Sequence, residues 1–314
     1  MPERILTNAE IETMVDTSDA WITERTGIKE RRIADTDTAT SDLAAGALED
    51  ACAQAGILAN DLDGIIVATS TPDTVFPSTA CWVQHKLGLS GMPAFDISAG
   101  CTGWLYALEI ASSLLAGPDP KKIAVIGAEV MSKVVNWDDR GTCVLFGDGA
   151  GAAILETTSE VRGLLSSNWG ADGTLAPILF QPAGGTRKPA TAETVAAREH
   201  SVVMEGNSVF RHAVRAMSSA VLEAIENAQI TADAIDLLIP HQANIRIMEA
   251  CRQRTSVPRE KMYSIVDRYG NMSAATIPAA LHMARAEGRV SEGSTIAMTA
   301  FGTGLTWAGA VLRL

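Results

Sequence analysis

The sequence predicts an α/β fold of two duplicated halves, each a largely parallel sheet covered by helices, stacked as α-β-α-β-α layers. Three observations predict it. LEDACAQAGILANDLDGIIVATST (48–71) and LEAIENAQITADAIDLLIPHQAN (222–244) each run from an amphipathic helix through a short turn and an aspartate into a buried strand, with Ile57 matching Ile230 and Asp63 matching Asp236. FDISAGCTGWLYALEIA (95–111) and IVDRYGNMSAATIPAAL (265–281) both pass from a strand through Asp and Gly into a helix, and KIAVIGAE and TIAMTAFG then follow as strands. Alternation of helix and strand in this order builds parallel sheets with helices on both faces.

The opening MPERILTNAE is too polar for a signal peptide, and no apolar run approaches the roughly 18 residues of a membrane span, so a cytoplasmic protein is expected. In the first half, taken as residues 1–158, the apolar run PAFDIS stops at Ala-Gly and presents Cys101 where a helix begins. Leu105, Leu108, Ala111 and Leu115 fall on one face of that helix. At its first turn Cys101 would meet unpaired N–H groups and the positive end of the helix dipole, which favour a nucleophilic thiolate. The competing reading is a small buried hydrophobe. GDGAGA (147–152) lacks the Gly-Lys-Ser/Thr ending of a phosphate loop and runs into the strand AAILE, so it marks tight backbone packing. The seam lies near residues 155–162, and the second half is taken as 159–314. Residues 170–204, with QPAGGTRKPATAET, carry no clear periodicity and are expected to form a surface excursion. The strands AIDLLIP and YSIVD then lead into His241 and Gly270-Asn271, and TIAMTA into Phe301-Gly302-Thr303-Gly304.

A net charge of -12 argues against sequence-independent nucleic-acid binding, which needs a clustered basic surface. Five scattered cysteines without a CxxC pair suggest reduced thiols, not a zinc site or a disulfide framework. Ligands of open parallel sheets collect beyond the carboxyl ends of the strands. Here those ends carry a thiol, an imidazole, a carboxamide and a Gly-rich turn. Each alone has an ordinary structural reading as cap or turn. Their coincidence at four strand ends from two halves points to a catalytic site.

The segments VDTSDAWITERTGIKERR (15–32), FPSTAC (76–81), AGCTG (99–103), DRGTCVLFGDGAGAAIL (139–155), PHQANIRI (240–247), RYGNMSAA (268–275) and AFGTGLTW (300–307) resemble the thiolase-fold condensing enzymes, of the beta-ketoacyl-[acyl-carrier-protein] synthase III type. The resemblance implies a thiolase-like fold, a Cys101 nucleophile completed by His241 and Asn271, and a homodimer acting on acyl-CoA and malonyl-[acyl-carrier protein] in fatty acid biosynthesis. It implies no cofactor or metal, since acyl-CoA is a substrate. Backbone N–H groups of Cys101 and Thr303 would form the oxyanion hole. Trp21, Arg25 and Arg140 would hold the coenzyme A adenine, and Thr17, Gly206, Asn207, Phe210, Ala243 and Asn244 would line the pantetheine tunnel. Phe76 would reach across the dimer to close the neighbour's acyl pocket, with Trp104 as another wall. Arg211, Arg215, Arg246, Arg252 and Arg254, on helices flanking His241, would dock the acidic carrier protein. Thiolases place a second cysteine, and elongating synthases a second histidine, near the Asn271 position.

Two features depart from the family pattern. The family opens with a strand and Gly-containing turn ahead of the segment that starts here at Met1-Pro2-Glu3-Arg4, so an unpaired edge in the N-terminal sheet is expected. Thr303 stands where relatives have Gly or Ala, which would narrow the acyl pocket. Other readings are a Cys hydrolase, a degenerate fold mate serving as a dimer partner, and a condensing enzyme of specialised metabolism with another primer or acceptor.

Overall fold

The matched aspartates do the same work in both halves. Asp63 N–H donates to Lys122 O (2.8 Å), and its carboxylate accepts from Lys122 N (2.9 Å) and Lys121 N (2.7 Å). Asp236 N–H donates to Thr295 O (2.8 Å), and its carboxylate accepts from Thr295 N (2.8 Å). Each clamp fixes where two parallel strands begin and thereby their register.

The computed structural model describes residues 1–314. Along the chain lie β1 (Arg4–Thr7), α1 (Asn8–Ile11), α2 (Asp19–Thr26), β2 (Glu30–Ile33), α3 (Thr40–Ala55), β3 (Gly64–Ala68), α4 (Thr79–Leu87), β4 (Ala94–Ile97), α5 (Gly103–Leu115), β5 (Lys122–Val130), α6 (Arg140–Cys143) and β6 (Asp148–Glu156). There follow β7 (Gly163–Ala171), β8 (Leu179–Phe180), α7 (Ala192–Ala196), β9 (Val203–Met204), α8 (Gly206–Asn227), β10 (Leu237–Pro240), α9 (Ile245–Thr255), α10 (Val266–Tyr269), α11 (Thr276–Ala286), β11 (Thr295–Gly302) and β12 (Thr306–Arg313). One sheet has the order β4-β3-β5-β6, parallel up to the antiparallel β6; the other is β10-β11-β12-β7, with β10 and β11 parallel. Ile66 pairs with Val125 in the first and Leu238 with Ala297 in the second.

The sheets are stacked through their helices. Between them α5 and α11 bring Trp104, Leu105, Leu108, Ile277 and Ala280 against Ile66 and Val125 of one sheet and Ile239 and Met298 of the other. The four apolar positions predicted for one face of the Cys101 helix are all buried there. Leu48 of α3 and Val83 of α4 cover Ile65 and Ile126 on one outer face, and Val221 of α8 and Ile247 of α9 cover Leu238 and Ala297 on the other. Strands buried on both faces need unbroken apolar sequence, as GIIVA and LLIP show. The layers are α-β-α-β-α.

YSIVD is not a strand. Met262 bridges Leu238, and Tyr263 N–H donates to Leu238 O (2.9 Å), so the segment starts alongside β10 as β4 does beside β3. The Gln242 side chain then intervenes, donating to Pro240 O (2.6 Å) and accepting from Ile265 N (2.9 Å). With its amide claimed by that side chain, the chain turns into α10. In the first sheet β6 is the last strand, bonded to β5 alone, with Ala152 to Leu155 only half-buried. The excursion after β7 holds only short elements, and most of its residues are half-buried or exposed.

The glycines of GDGAGA carry no phosphate loop. A Cβ on Gly147 would lie 2.6 Å from Tyr269 O, and one on Gly151 would lie 2.7 Å from Ala279 N and 2.9 Å from Pro278 C. Bare backbone here lets the chain entering β6, and β6 itself, sit directly on Tyr269 and on α11, the residues that flank the Asn271 segment. Gly151→Ala is therefore expected to cost about 1–3 kcal/mol of stability, read from the urea unfolding midpoint. An unchanged midpoint would sink this account of the glycine run.

Candidate active site

The thiol comes first because its turn positions the rest. After β4 the chain makes a tight turn over Gly100–Thr102, and α5 starts at Gly103. Gly100 has φ +58°, and a Cβ there would lie 2.7 Å from Thr303 N, while a Cβ on Gly302 would lie 2.5 Å from Cys101 N. The two turns thus interlock and set the main-chain nitrogens of Cys101 and Thr303 side by side, the pair expected as oxyanion donors. The Thr102 and Thr306 hydroxyls, 2.7 Å apart, tie the same turns together at Ala99 O. The Thr303 hydroxyl donates to Leu179 O (2.5 Å), which anchors β8 to the second turn.

Cys101 is half-buried, and burial of the thiol pushes its pKa up to about 12, opposed by the Ser273 hydroxyl and reinforced by the Glu129 charge. The thiolate expected from the helix start is therefore not the resting state. Desolvation and a nearby carboxyl outweigh the dipole. Glu129, buried within β5, accepts from Ser70 N (3.0 Å), Thr71 Oγ1 (2.6 Å) and Thr69 Oγ1 (3.2 Å), and burial raises its pKa.

His241 follows β10, held by its N–H to Thr299 O (2.7 Å), and is 1% exposed. Burial pushes its pKa down to about 3, so the ring is neutral at physiological pH. Its Nδ1 lies 2.6 Å from Thr276 Oγ1. Asn271 sits in a bridge with Phe146: its N–H donates to Leu145 O (2.9 Å) and its carbonyl accepts from Gly147 N (3.0 Å). Its side-chain Oδ1 accepts from Ser273 N (2.8 Å). A backbone N–H can only donate, so the carboxamide orientation is fixed and its NH₂ is left to donate elsewhere. Ser273 holds φ +46°, a left-handed conformation uncommon outside glycine. Turns 100–102 and 273–275 are in contact, and His241 joins the latter through Thr276. Thiol, imidazole and carboxamide thus converge on one segment, 271–276.

Arg31 lies beside the turn that precedes that segment, where a Cβ on Gly270 would be 3.3 Å from its Cβ. Buried, it donates to Val144 O (2.7 Å), Asn8 Oδ1 (2.8 Å) and Leu6 O (3.2 Å), and burial lowers its pKa to about 10. Sequence reasoning missed Arg31, Glu129, Ser273 and Thr276. Only Glu129 left a signal, as a lone acid inside the apolar run KIAVIGAEV.

Of the residues expected to hold coenzyme A, three are gathered. The guanidinium carbons of Arg140 and Arg25 lie 5.0 and 5.6 Å from the Trp21 ring centre, and Arg140 also donates to Asp16 O (2.9 Å). Asn244 joins this group to the His241 side, capping α9 at Arg246 N (2.8 Å) and donating to Arg25 O (3.0 Å). Thr17 and Ala243 are half-buried, the Thr17 hydroxyl has no partner, and Phe210 lies under Arg246. Gly206 and Asn207 are exposed at the start of α8. Among the docking arginines, 211, 215, 246 and 254 are exposed, whereas Arg252 is folded onto Glu249 (2.6 and 3.0 Å) and Val257 O (2.7 Å). Arg252 is thus paired within the chain. Phe76 is 84% exposed, and Trp104 is in the core between the sheets, its indole N–H on Val125 O (3.2 Å).

Family models for 3-oxoacyl-[acyl-carrier-protein] synthase III match residues 95–173 and, for its C-terminal part, 225–314. A beta-ketoacyl-[acyl-carrier-protein] synthase III of Caldanaerobacter subterraneus subsp. tengcongensis is 52% identical over 313 residues, which is 100% of this chain and 95% of the relative. The chain belongs to the synthase III family. The crystal structure of 3-oxoacyl-[acyl-carrier-protein] synthase III from Aquifex aeolicus VF5 superimposes with a TM-score of 0.92 at 44% identity, covering 100% of this chain and 97% of that one. The priming beta-ketosynthase of the R1128 polyketide pathway gives 0.93 at 33% identity, covering 100% and 93%. The fold is therefore thiolase-like, and the chain is an acyl-transferring condensing enzyme. No helix of this synthase III is long and apolar enough to cross a membrane.

Because its pKa is raised, Cys101 has a smaller thiolate fraction than a free cysteine at every pH below its own pKa. Alkylation by iodoacetamide at pH 7.5 should run roughly 100-fold or more slower than for a free thiol and still be accelerating past pH 9, as followed by peptide mass spectrometry. A plateau below pH 8 would show a resting thiolate instead.

Proposed function

We propose that this synthase III joins an acyl-CoA primer to malonyl-[acyl-carrier protein], releasing carbon dioxide and coenzyme A and starting a fatty acid as 3-oxoacyl-[acyl-carrier protein] in the cytoplasm. The observation that carries the reading is the convergence of a thiol with two neutral hydrogen-bond donors on segment 271–276. Cys101 sulfur attacks the primer thioester, coenzyme A leaves with the thiol proton, and the tetrahedral oxyanion rests on the N–H groups of Cys101 and Thr303. In the second stage the malonyl carbon–carboxylate bond breaks and its electron pair moves into an enolate. His241 and Asn271 donate to the enolate oxygen. The carbon attacks the acyl-cysteine, and the expelled sulfur takes up a proton.

Neutrality of His241 suits this step. An imidazolium would hand its proton to the enolate and end the reaction, whereas a neutral ring can only stabilise it. The fixed NH₂ of Asn271 serves the same purpose and gives a hydrolase no advantage. A synthase of specialised metabolism remains the second reading, supported by the R1128 neighbour at 33% identity, against 52% for the relative named for the synthase III activity itself.

Two partners complete the reading. A second copy of the chain would cover exposed Phe76 and receive it as the far wall of an acyl pocket bounded also by Trp104, which favours short, unbranched primers. The acidic carrier protein would dock on the arginines of α8 and α9, a basic face on a chain of net charge -12. Trp21, Arg25 and Arg140 would take the coenzyme A adenine and phosphates.

Intact-protein mass spectrometry after acyl-CoA treatment tests the division of labour. Cys101→Ser should gain no acyl mass, while His241→Ala and Asn271→Ala should be acylated yet condense roughly 100-fold or more slowly. Unmodified His241→Ala and Asn271→Ala proteins would refute the scheme.

Arg215→Glu combined with Arg254→Glu should raise KM for malonyl-carrier protein about tenfold and leave acylation by acyl-CoA unchanged, with added salt acting in the same direction. Equal weakening toward both substrates would show that these arginines do not form a docking face.

A further inference from the structure

The main chain of Thr303 is expected to offer an oxyanion N–H, and its side chain does separate work. Its Cγ2 methyl lies over Gly100, 2.6 Å from where a Cβ on that glycine would stand, and its hydroxyl donates to Leu179 O (2.5 Å). Both branches are engaged by the protein. Leu179 lies in β8, which pairs antiparallel with β9. Glu205 N–H donates to Ile178 O (2.8 Å), a bonded pair of that ladder, so the next residue, Leu179, turns its own carbonyl away from β9. The Thr303 hydroxyl is the partner that this outward carbonyl finds.

The β8–β9 ribbon is otherwise lightly held. Asp172 and Leu305 exchange backbone bonds (2.8 and 3.0 Å) ahead of it, and Val202 N–H donates to Val134 O (2.8 Å) beside it. Leu175, Ile178, Leu179 and Met204 are only half-buried. From β9 the chain runs directly into Gly206, Asn207 and Phe210, the residues of α8 expected to line the pantetheine tunnel. Where the ribbon rests therefore sets one side of the approach to Cys101. We propose that the Thr303 hydroxyl is a specificity determinant, which fastens the β8–β9 ribbon to the oxyanion turn and so restricts the primer to short, unbranched acyl groups. This rests on the acylation of Cys101 proposed above, and it assigns to a hydrogen bond the narrowing that the bulk of threonine was expected to cause.

Two variants separate hydroxyl from bulk. Thr303→Val keeps the shape and removes the hydroxyl; Thr303→Ser keeps the hydroxyl and removes the methyl. Hydrogen exchange of the full-length enzyme without substrate, read by mass spectrometry, should be about tenfold faster for amides of 174–181 and 202–206 in Thr303→Val, and as in the wild type in Thr303→Ser. The rate of acyl-enzyme formation from hexanoyl-CoA, divided by that from acetyl-CoA, should rise about tenfold in Thr303→Val and stay within about twofold in Thr303→Ser. A ratio cancels any change in the oxyanion N–H, which both primers share. A Thr303→Val ribbon that exchanges as in the wild type would overturn the proposal. A Thr303→Ser enzyme that gains hexanoyl acylation would assign the selectivity to bulk, and overturns it even where Thr303→Val does not fold. Wild-type enzyme acylated by neither CoA ester would refute the function proposed above, and the exchange rates, which need no substrate, tell that result apart from a failure of the fastening.

Discussion

The site depends on how closely the 271–276 segment and the residues on either side of it are pressed against β5 and β6. Backbone meets backbone there because Gly127, Gly147 and Gly151 present no side chain: a Cβ on them would lie 2.3 Å from Ala274 O, 2.6 Å from Tyr269 O and 2.7 Å from Ala279 N. Backbone packed this closely must satisfy its polar groups within the protein. The partners are specific: Leu145 O and Gly147 N for the Asn271 backbone, Ser273 N for its side chain, and Thr276 for His241. One packing constraint thereby gathers Cys101, His241 and Asn271 and orients the Asn271 carboxamide.

Burial also sets the charges. It pushes the Cys101 thiol up, the Glu129 carboxyl up and the His241 imidazolium down, and each shift is toward the neutral form. Neutral donors suit the proposed reaction, which develops negative charge on oxyanion and enolate oxygens, since fixed dipoles act most strongly where water is excluded. It also gives Glu129 a physical place. Its three hydrogen-bond donors offset the cost of burying a carboxyl, and its proximity helps to keep the thiol protonated until an acyl group arrives.

What the sequence revealed was pattern. The period of LYALEIASSLLAG gave the buried face of α5, which depends on residues near in the chain, and the aspartates marked the strand starts because they recur at matched places in the two halves. Cys101, His241 and Asn271, which the structure gathers around one segment, were legible because each follows a strand or turn signature. YSIVD was misjudged because a side chain from another element, Gln242, takes the hydrogen bonds that a strand would have used. The expected thiolate failed similarly: a helix start is visible in sequence, whereas the burial of Cys101 beside Glu129 arises from a strand 28 positions further on, by the numbering of those two residues. Arg252 was expected among the docking arginines from its place on α9, and its pairing with Glu249 is a choice made among neighbours on a folded helix.

The duplication also explains how one fold came to hold unlike groups at matched places. Gly100 and Ser273 open the equivalent turns, Gly100–Thr102 before α5 and Ser273–Ala275 before α11, with φ of +58° and +46°. The thiol of Cys101 lies within the first turn, and the carboxamide of Asn271 lies just ahead of the second. Aligned through Asp63 and Asp236, the position of His241 corresponds to Ala68, which packs under Gly103 with no polar atom; a Cβ on Gly103 would lie 3.1 Å from its Cβ. In the second half the corresponding turn carries Ser273 and Thr276, hydrogen-bonding residues that a histidine requires when it is buried. One half thus keeps its strand end apolar and gives up a nucleophile, and the other makes it polar and supplies donors. The proposed condensation needs both, because a group that attacks and a group that steadies the developing charge cannot be the same atom, and the two copies of the turn are in contact.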